Sequence, residues 1–100
     1  MSLDINQEIQ EYFRTQGAIL IDVRTPQEYR KGHIPRSINI PLRLISRAQN
    51  MFKSKDTPLF VHCYTGSRSW RAVEALELMG YRKVKDIGGL AGYRGKLEGQ

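Results

Sequence analysis

Residues 59–69 read Leu-Phe-Val-His-Cys-Tyr-Thr-Gly-Ser-Arg-Ser, and this stretch decides the fold. Its first part is a short apolar run that is typical of a buried strand. A small polar loop follows Cys63, and apolar residues at helical spacing follow the loop. The stretch therefore predicts a strand, a tight loop and a helix. Ligands of open α/β sheets bind beyond the carboxyl ends of the strands, which is where Cys63 is expected.

The rest of the chain repeats this alternation of strands and helices. Further strands are predicted over residues 18–23, at residues 38–40 and over residues 84–87. Helices are predicted over residues 4–15, 26–31, 42–52 and 69–79, the first two with capping-box patterns at Asp4 and Thr25. The alternation predicts one α/β domain over residues 1–100, with a largely parallel sheet and helices on both faces.

Composition excludes several classes of protein. One hundred residues suffice for a single core, and no apolar run reaches the 18 residues or so of a membrane span. One cysteine and two histidines exclude a disulfide scaffold and a closed structural zinc site. The net charge of +6 is spread along the chain, with basic runs of at most two residues. That pattern favours attraction of small anions over a nucleic-acid stripe. The first residues lack the pattern of a secretory leader, so a cytoplasmic location is expected.

The loop after Cys63 combines features that activate a thiol. A helix N-terminus offers unpaired N–H groups and a partial positive charge, and the nearby Arg68 adds a full one. Both favour a thiolate over a thiol. Gly66 permits a tight turn, and Ser67 and Ser69 can cap the helix or donate to a bound anion. The loop thus predicts a nucleophilic cysteine in an anion pocket. The alternative is that Cys63 is a small buried hydrophobe at a strand end.

At these residues the chain resembles a single-domain rhodanese, of the sulfurtransferase family. Four segments match the family's motifs in the family's order, and the overall match covers nearly the whole chain, from about residue 4 to 93. They are Asp22-Val23-Arg24 with Glu28-Tyr29, Gly32–Pro41, Cys63–Ser69, and Gly80-Tyr81 with Val84 and Gly88-Gly89. The resemblance implies a rhodanese-like fold with a mostly parallel sheet of about five short strands. One departure is Tyr93, where the family often has tryptophan.

The resemblance implies a catalytic role for Cys63. Its thiolate would take sulfane sulfur from thiosulfate or a similar small anionic donor. It would hold that sulfur as a persulfide and pass it to a thiol or cyanide, or to an acceptor protein. Neither a metal nor an organic cofactor is implied, and neither nucleic acid nor membrane is an expected partner.

The same resemblance assigns roles to further residues. The residues expected to bind substrate are Tyr64, Thr65, Gly66, Ser67, Arg68 and Ser69. Arg36 is either an additional anion contact or merely exposed. Asp22 and Arg24 either line the pocket or hold the loop after the first strand, through hydrogen bonds and an ion pair with Glu28. His33 is either a catalytic base or, as the family suggests, a packing and hydrogen-bonding residue.

Loop length separates the main rival enzymes. Cysteine phosphatases and arsenate reductases place five residues between their cysteine and arginine, whereas four separate Cys63 from Arg68. The shorter loop resembles the sulfurtransferase type. Two other readings stay open: a non-enzymatic rhodanese-like binding module, and a sulfur carrier whose acceptor is another protein. Retention of Cys63 argues against the non-enzymatic module.

Overall fold

Four parallel strands form the centre of the structure, a computed structural model that describes residues 4–99. The strands are β1 (Ile19–Asp22), β2 (Ile38–Asn39), β3 (Leu59–Cys63) and β4 (Val84–Gly89). They lie side by side in the order β2-β1-β3-β4. The central strand β3 is buried at every residue, as its continuous apolar run predicts. Of the domain predicted over residues 1–100, residues 1–3 and 100 lie outside the described residues.

Helices cover both faces of the sheet, which confirms the predicted α/β class. They are α1 (Ile5–Arg14), α2 (Pro26–Lys31), α3 (Ala48–Met51) and α4 (Ser67–Leu78), with 3₁₀ helices at Leu42–Arg47 and Leu90–Gly92. Helix α1 packs its apolar side on Leu20, Phe60 and Ile87. Helix α4 packs on the other face, against Val61 and Leu59. No helix among residues 4–99 is long and apolar enough to span a membrane.

The strand count differs slightly from the expectation. Residues 4–99 hold four strands rather than about five, and all four are parallel. After β4 the chain turns into the 3₁₀ helix Leu90–Gly92 and then makes only an isolated antiparallel pair, between His33 and Glu98. The physical reason is that the sequence after Gly89 has no further apolar run of strand length, so it has nothing to bury in a sheet.

The prediction of a helix over residues 42–52 is wrong about the type of helix in its first half. Leu42–Arg47 is a 3₁₀ helix with a kink at Leu44, and only Ala48–Met51 is α-helical. Leu42, Ile45 and Ala48 pack in the core on the α4 side and are spaced three residues apart. Three residues per turn is the repeat of a 3₁₀ helix, so this conformation keeps them on one side.

Candidate active site

Strand β3 and helix α4 position Cys63 at the middle of the sheet's carboxyl edge. Cys63 is the last residue of β3, between β1 and β4, and its side chain is 0% exposed. Helix α4 begins at Ser67, two residues earlier than predicted. The reason is Gly66, which has a φ of 111° and serves as the N-cap. That left-handed conformation favours glycine, and it brings the helix N-terminus directly onto the cysteine.

One backbone donor and one hydroxyl lie against the sulfur of Cys63. The Gly66 N–H donates to Sγ at 2.9 Å, and Ser69 Oγ lies 3.5 Å from Sγ, where it can accept from the thiol. No side chain caps α4, and within residues 4–99 no backbone carbonyl accepts from the N–H groups of Ser67 and Arg68. These orphan donors and the helix dipole favour negative charge at this end of α4.

The end of β4 holds the loop from the other side. Gly89 pairs with Cys63 in the sheet, and the Ala91 N–H donates to the Tyr64 carbonyl at 3.0 Å. A Cβ built on Gly89 would lie 2.2 Å from that carbonyl oxygen and 2.8 Å from the Cα of Thr65. Gly89 is not among the site residues predicted from the sequence. The available signal was the glycine pair at the end of β4, because glycine in a strand marks close backbone approach.

Arg68 forms an ion pair with a residue from another part of the chain. Its guanidinium donates to both carboxylate oxygens of Glu28, at 2.7 and 3.0 Å. These hydrogen bonds lower the pKa of Glu28 from its ordinary 4.5 to about 2, and they raise the pKa of Arg68. The pair links α2 to the start of α4. It also offsets the positive charge that the sequence analysis assigned to anion capture.

A buried polar layer lies behind the cysteine. Arg24 donates through Nε and one terminal nitrogen to both oxygens of Asp22, at 2.7 to 3.0 Å, and also to the Gly32 carbonyl at 2.7 Å. The expected ion pair of Arg24 with Glu28 is therefore wrong, because Asp22 takes the guanidinium. Neither Asp22 nor Arg24 is exposed enough to face an open pocket, at 0% and 4%.

His62 belongs to the same layer. Its Nδ1 donates to the Cys63 carbonyl at 3.0 Å, and its Nε2 stands 3.7 Å from a carboxylate oxygen of Asp22. Within residues 4–99 no group forms a hydrogen bond with this Nε2. Burial lowers the pKa of His62 below its ordinary 6.5. The imidazole is therefore neutral at pH 7 and supports the backbone at the start of the loop.

The structure does not bring all of the predicted residues together. Tyr64, Thr65 and Ser67 are exposed on the loop around the buried Cys63. Arg36 precedes β2, so it lies at the opposite edge of the sheet, where its guanidinium is 5.2 Å from the Phe13 ring centroid. Arg36 is exposed there, and the structure does not bring it to the Cys63 loop.

His33 has the packing and hydrogen-bonding contacts of a structural residue. Its ring stacks on Tyr29 with centroids 3.8 Å apart, and Nδ1 lies 2.8 Å from the Tyr29 carbonyl. Its backbone exchanges two hydrogen bonds with Glu98. These contacts tie the segment before β2 to the end of the described chain.

A cleft of about 560 Å³ opens beside the loop. It is lined by Tyr64, Thr65 and Gly89 and by residues at the start of α1 and in the segment after β4. Asn6 joins these last two parts, donating to the Gly92 carbonyl at 2.9 Å and accepting from the Arg94 N–H at 2.8 Å. The cleft offers a route by which a small molecule approaches the loop. Among residues 4–99, no group of three His, Cys, Asp or Glu side chains is placed to hold a metal ion.

The Glu28–Arg68 pair gives the protein a defined acid sensitivity. Because the pKa of Glu28 is lowered, its stabilising contribution is complete above pH 4.5 and is lost as the pH falls towards about 2. Glu28→Gln, which preserves the capping pattern with Thr25, is expected to destabilise the protein by at most about 1 kcal/mol at pH 7, because the pair is partly exposed. Urea unfolding of both proteins should show this gap closing between about pH 4.5 and pH 2. A gap that is unchanged in acid would contradict the assignment.

Comparisons with known proteins agree with the resemblance. A family model described as "Rhodanese-like domain" matches residues 6–96. The chain is 39% identical over 71 residues to "Thiosulfate sulfurtransferase PspE" of Escherichia coli, covering 70% of this chain and 68% of that protein. It is 31% identical over 96 residues to "Adenylyltransferase and sulfurtransferase uba4" of Ogataea parapolymorpha, covering 95% of this chain but 25% of that protein. A solved structure described as "rhodanese with anions from E. coli" superposes with a TM-score of 0.76 at 33% identity, covering 83% of this chain and 99% of that one.

Proposed function

Because this chain belongs to the Rhodanese-like domain family, we propose that it is a sulfurtransferase that carries sulfane sulfur as a persulfide on Cys63. The observation that carries the proposal is the donor set at the sulfur. The Gly66 N–H is 2.9 Å from Sγ, and the uncapped N-terminus of α4 points its remaining N–H groups at the same edge of the sheet. Preorganised donors of this kind stabilise a thiolate and the negative charge of a persulfide.

The proposed reaction has two displacement steps. First, the Cys63 thiolate attacks the outer sulfur of thiosulfate, the S–S bond of the donor breaks, and its electron pair leaves with sulfite. Second, an acceptor thiolate or cyanide attacks the outer sulfur of the persulfide, and the electron pair of that S–S bond returns to Sγ. Electrons balance between donor, cysteine and acceptor in each step. The backbone donors around Gly66 hold the charge on sulfur throughout.

The charge distribution supports a small anionic donor. The net charge is +6, and Arg94 stands at the rim of the cleft beside the loop. Arg68 contributes less to this field than its position suggests, because Glu28 binds it through two hydrogen bonds. The backbone of the loop and α4 therefore supplies most of the attraction close to Sγ. The acceptor is proposed to be a thiol, either a small molecule that enters the cleft or a group presented by a protein.

Mass spectrometry tests the proposal directly. Incubation with thiosulfate is expected to add one sulfur atom to Cys63, cyanide to remove it as thiocyanate, and Cys63→Ser to gain none. Since Cys63 is the chain's single cysteine, the intact mass suffices for the assignment. Absence of the added sulfur with both thiosulfate and an organic persulfide would overturn the proposal. Hydrolysis of an aryl phosphate by the protein, lost in Cys63→Ser, would favour a phosphatase instead.

A further inference from the structure

The Ser69 hydroxyl has one proton and three neighbouring acceptors. Its Oγ lies 2.8 Å from a carboxylate oxygen of Asp86, 3.0 Å from the Gly66 carbonyl and 3.5 Å from Cys63 Sγ. The Gly66 carbonyl already accepts from the Trp70 N–H at 3.1 Å. The two strongest competitors for the proton are therefore the carboxylate and, when it is ionised, the sulfur.

The preferred position of this proton depends on the state of Cys63. When Cys63 is a thiol, its S–H can donate to Ser69 Oγ while the hydroxyl donates to Asp86, so every group is matched. When Cys63 is a thiolate, the sulfur can only accept. The hydroxyl must then turn to Sγ and leave Asp86, or keep a lone pair facing the negative sulfur. The first choice gives up the charge-assisted hydrogen bond between Ser69 and Asp86. The second leaves the hydroxyl oxygen repelling the thiolate.

We propose that Asp86, acting through Ser69, opposes ionisation of Cys63 and so keeps the resting cysteine closer to the thiol. In this step the thiol proton is released to solvent, the Ser69–Asp86 hydrogen bond breaks, and a Ser69–Sγ hydrogen bond forms. Asp86 is a positioning residue in this account, because it reaches the sulfur only through Ser69.

Asp86→Asn tests the competition with little change in the shape of the side chain. Asp86 also accepts the Gly88 N–H at 3.0 Å, and an asparagine oxygen can keep that bond. The measurement is the rate of alkylation by iodoacetamide as a function of pH. All modification is at Cys63, since the chain has no other cysteine. The plateau rate at high pH reports access to the buried sulfur, and the pH of half-maximal rate reports ionisation.

Three titratable side chains near the sulfur have their charge states fixed by their surroundings: Glu28, Arg68 and His62. Arg68 and Glu28 remain paired, because the pKa of one is raised and that of the other is about 2. His62 is kept neutral by burial. Other charged side chains on the elements packed around the loop are the buried Asp22 and Arg24 at the end of β1, Asp4 before α1 and Arg94 after β4. The Tyr64 phenol is exposed on the loop itself.

Asp86→Asn is expected to lower the pH of half-maximal alkylation by about one unit, equivalent to roughly tenfold faster reaction on the acid side. In a Ser69→Ala background the same substitution should shift it by less than half as much. Glu74→Gln, which removes an exposed carboxylate from α4, should leave the profile unchanged. An equal shift with and without the Ser69 hydroxyl would show that Asp86 acts by its field alone, and would overturn the proposal, as would no shift or an upward one. Iodoacetamide needs no sulfur donor, so failure here is distinct from failure to form a persulfide.

Discussion

Replacement of Gly89 by alanine is expected to lower the free energy of unfolding by about 3 kcal/mol and to slow sulfur loading of Cys63 at least tenfold. The added Cβ would lie 2.2 Å from the Tyr64 carbonyl oxygen and 2.8 Å from the Thr65 Cα. All of these are backbone atoms, so no side-chain rotation relieves the contact. The backbone of Gly89 itself is extended, with φ −124° and ψ 142°, which alanine adopts freely. The cost is therefore steric and falls on the loop that holds the cysteine.

Gly92→Ala provides the matched control. Gly92 lies three residues further on, and the nearest atom to its added Cβ is an Ile5 methyl carbon at 3.9 Å, an ordinary contact. Urea unfolding and the thiosulfate loading rate should therefore remain close to wild type. If Gly89→Ala unfolded within about 1 kcal/mol of wild type and loaded sulfur at the same rate, the close packing of β4 on the loop would not be a requirement.

Arg24→Met is expected to be at least as damaging to stability, at about 3–5 kcal/mol of the free energy of unfolding. It removes the guanidinium but keeps most of the apolar stem. The Asp22 carboxylate, 0% exposed, then loses its counter-ion, and the Gly32 carbonyl loses a donor at 2.7 Å. A buried charge without a partner costs far more than an exposed one. Since domains of this size are stable by about 5–15 kcal/mol, the variant should unfold at much lower urea concentration.

Two further variants separate charge pairing from loss of packing. The double variant Asp22→Asn with Arg24→Met should recover part of the lost stability, because no unpaired charge remains. Arg82→Met breaks the ion pair with Asp56, whose two side chains are 63% and 57% exposed, and should cost less than about 1 kcal/mol. Equal losses from Arg24→Met and Arg82→Met would refute the assignment of a buried, essential pair.

The architecture was predictable where local pattern carries the information. Short apolar runs at residues 18–21 and 59–61 locate the two central strands, and the break in pattern after Cys63 places the cysteine at a strand end. The pairings that shape the site were not predictable. Glu28 and Arg68 stand 40 residues apart, and Ser69 and Asp86 are 17 apart. Each of these side chains has the polarity of an ordinary surface residue, so nothing local distinguishes a paired carboxylate from a solvated one.

The 3₁₀ helix illustrates a different limit. The spacing of Leu42, Ile45 and Ala48 fits both a 3₁₀ helix and the α-helix that was predicted. Over a single turn, side chains three or four residues apart lie on the same face of a helix. Packing against α4 decides between the two, and packing is a property of the folded chain. The expectation of a fifth strand came from the resemblance to the family and not from the residues of this chain. The sequence after Gly89 has no apolar run that would form such a strand.

The parallel sheet also imposes an order of events during synthesis. Strand β1 pairs with β3 in a register that joins Ile19 to Leu59, so the chain must extend by 40 residues before the first strand finds its central neighbour. Gly89, which packs against the cysteine loop, is synthesised later still. An unfinished chain emerging from the ribosome thus contains the nucleophile well before the donor cradle can close around it. During that interval the thiol is unprotected, and folding of the last strand is the step that packs Gly89 against the cysteine loop and shields the thiol.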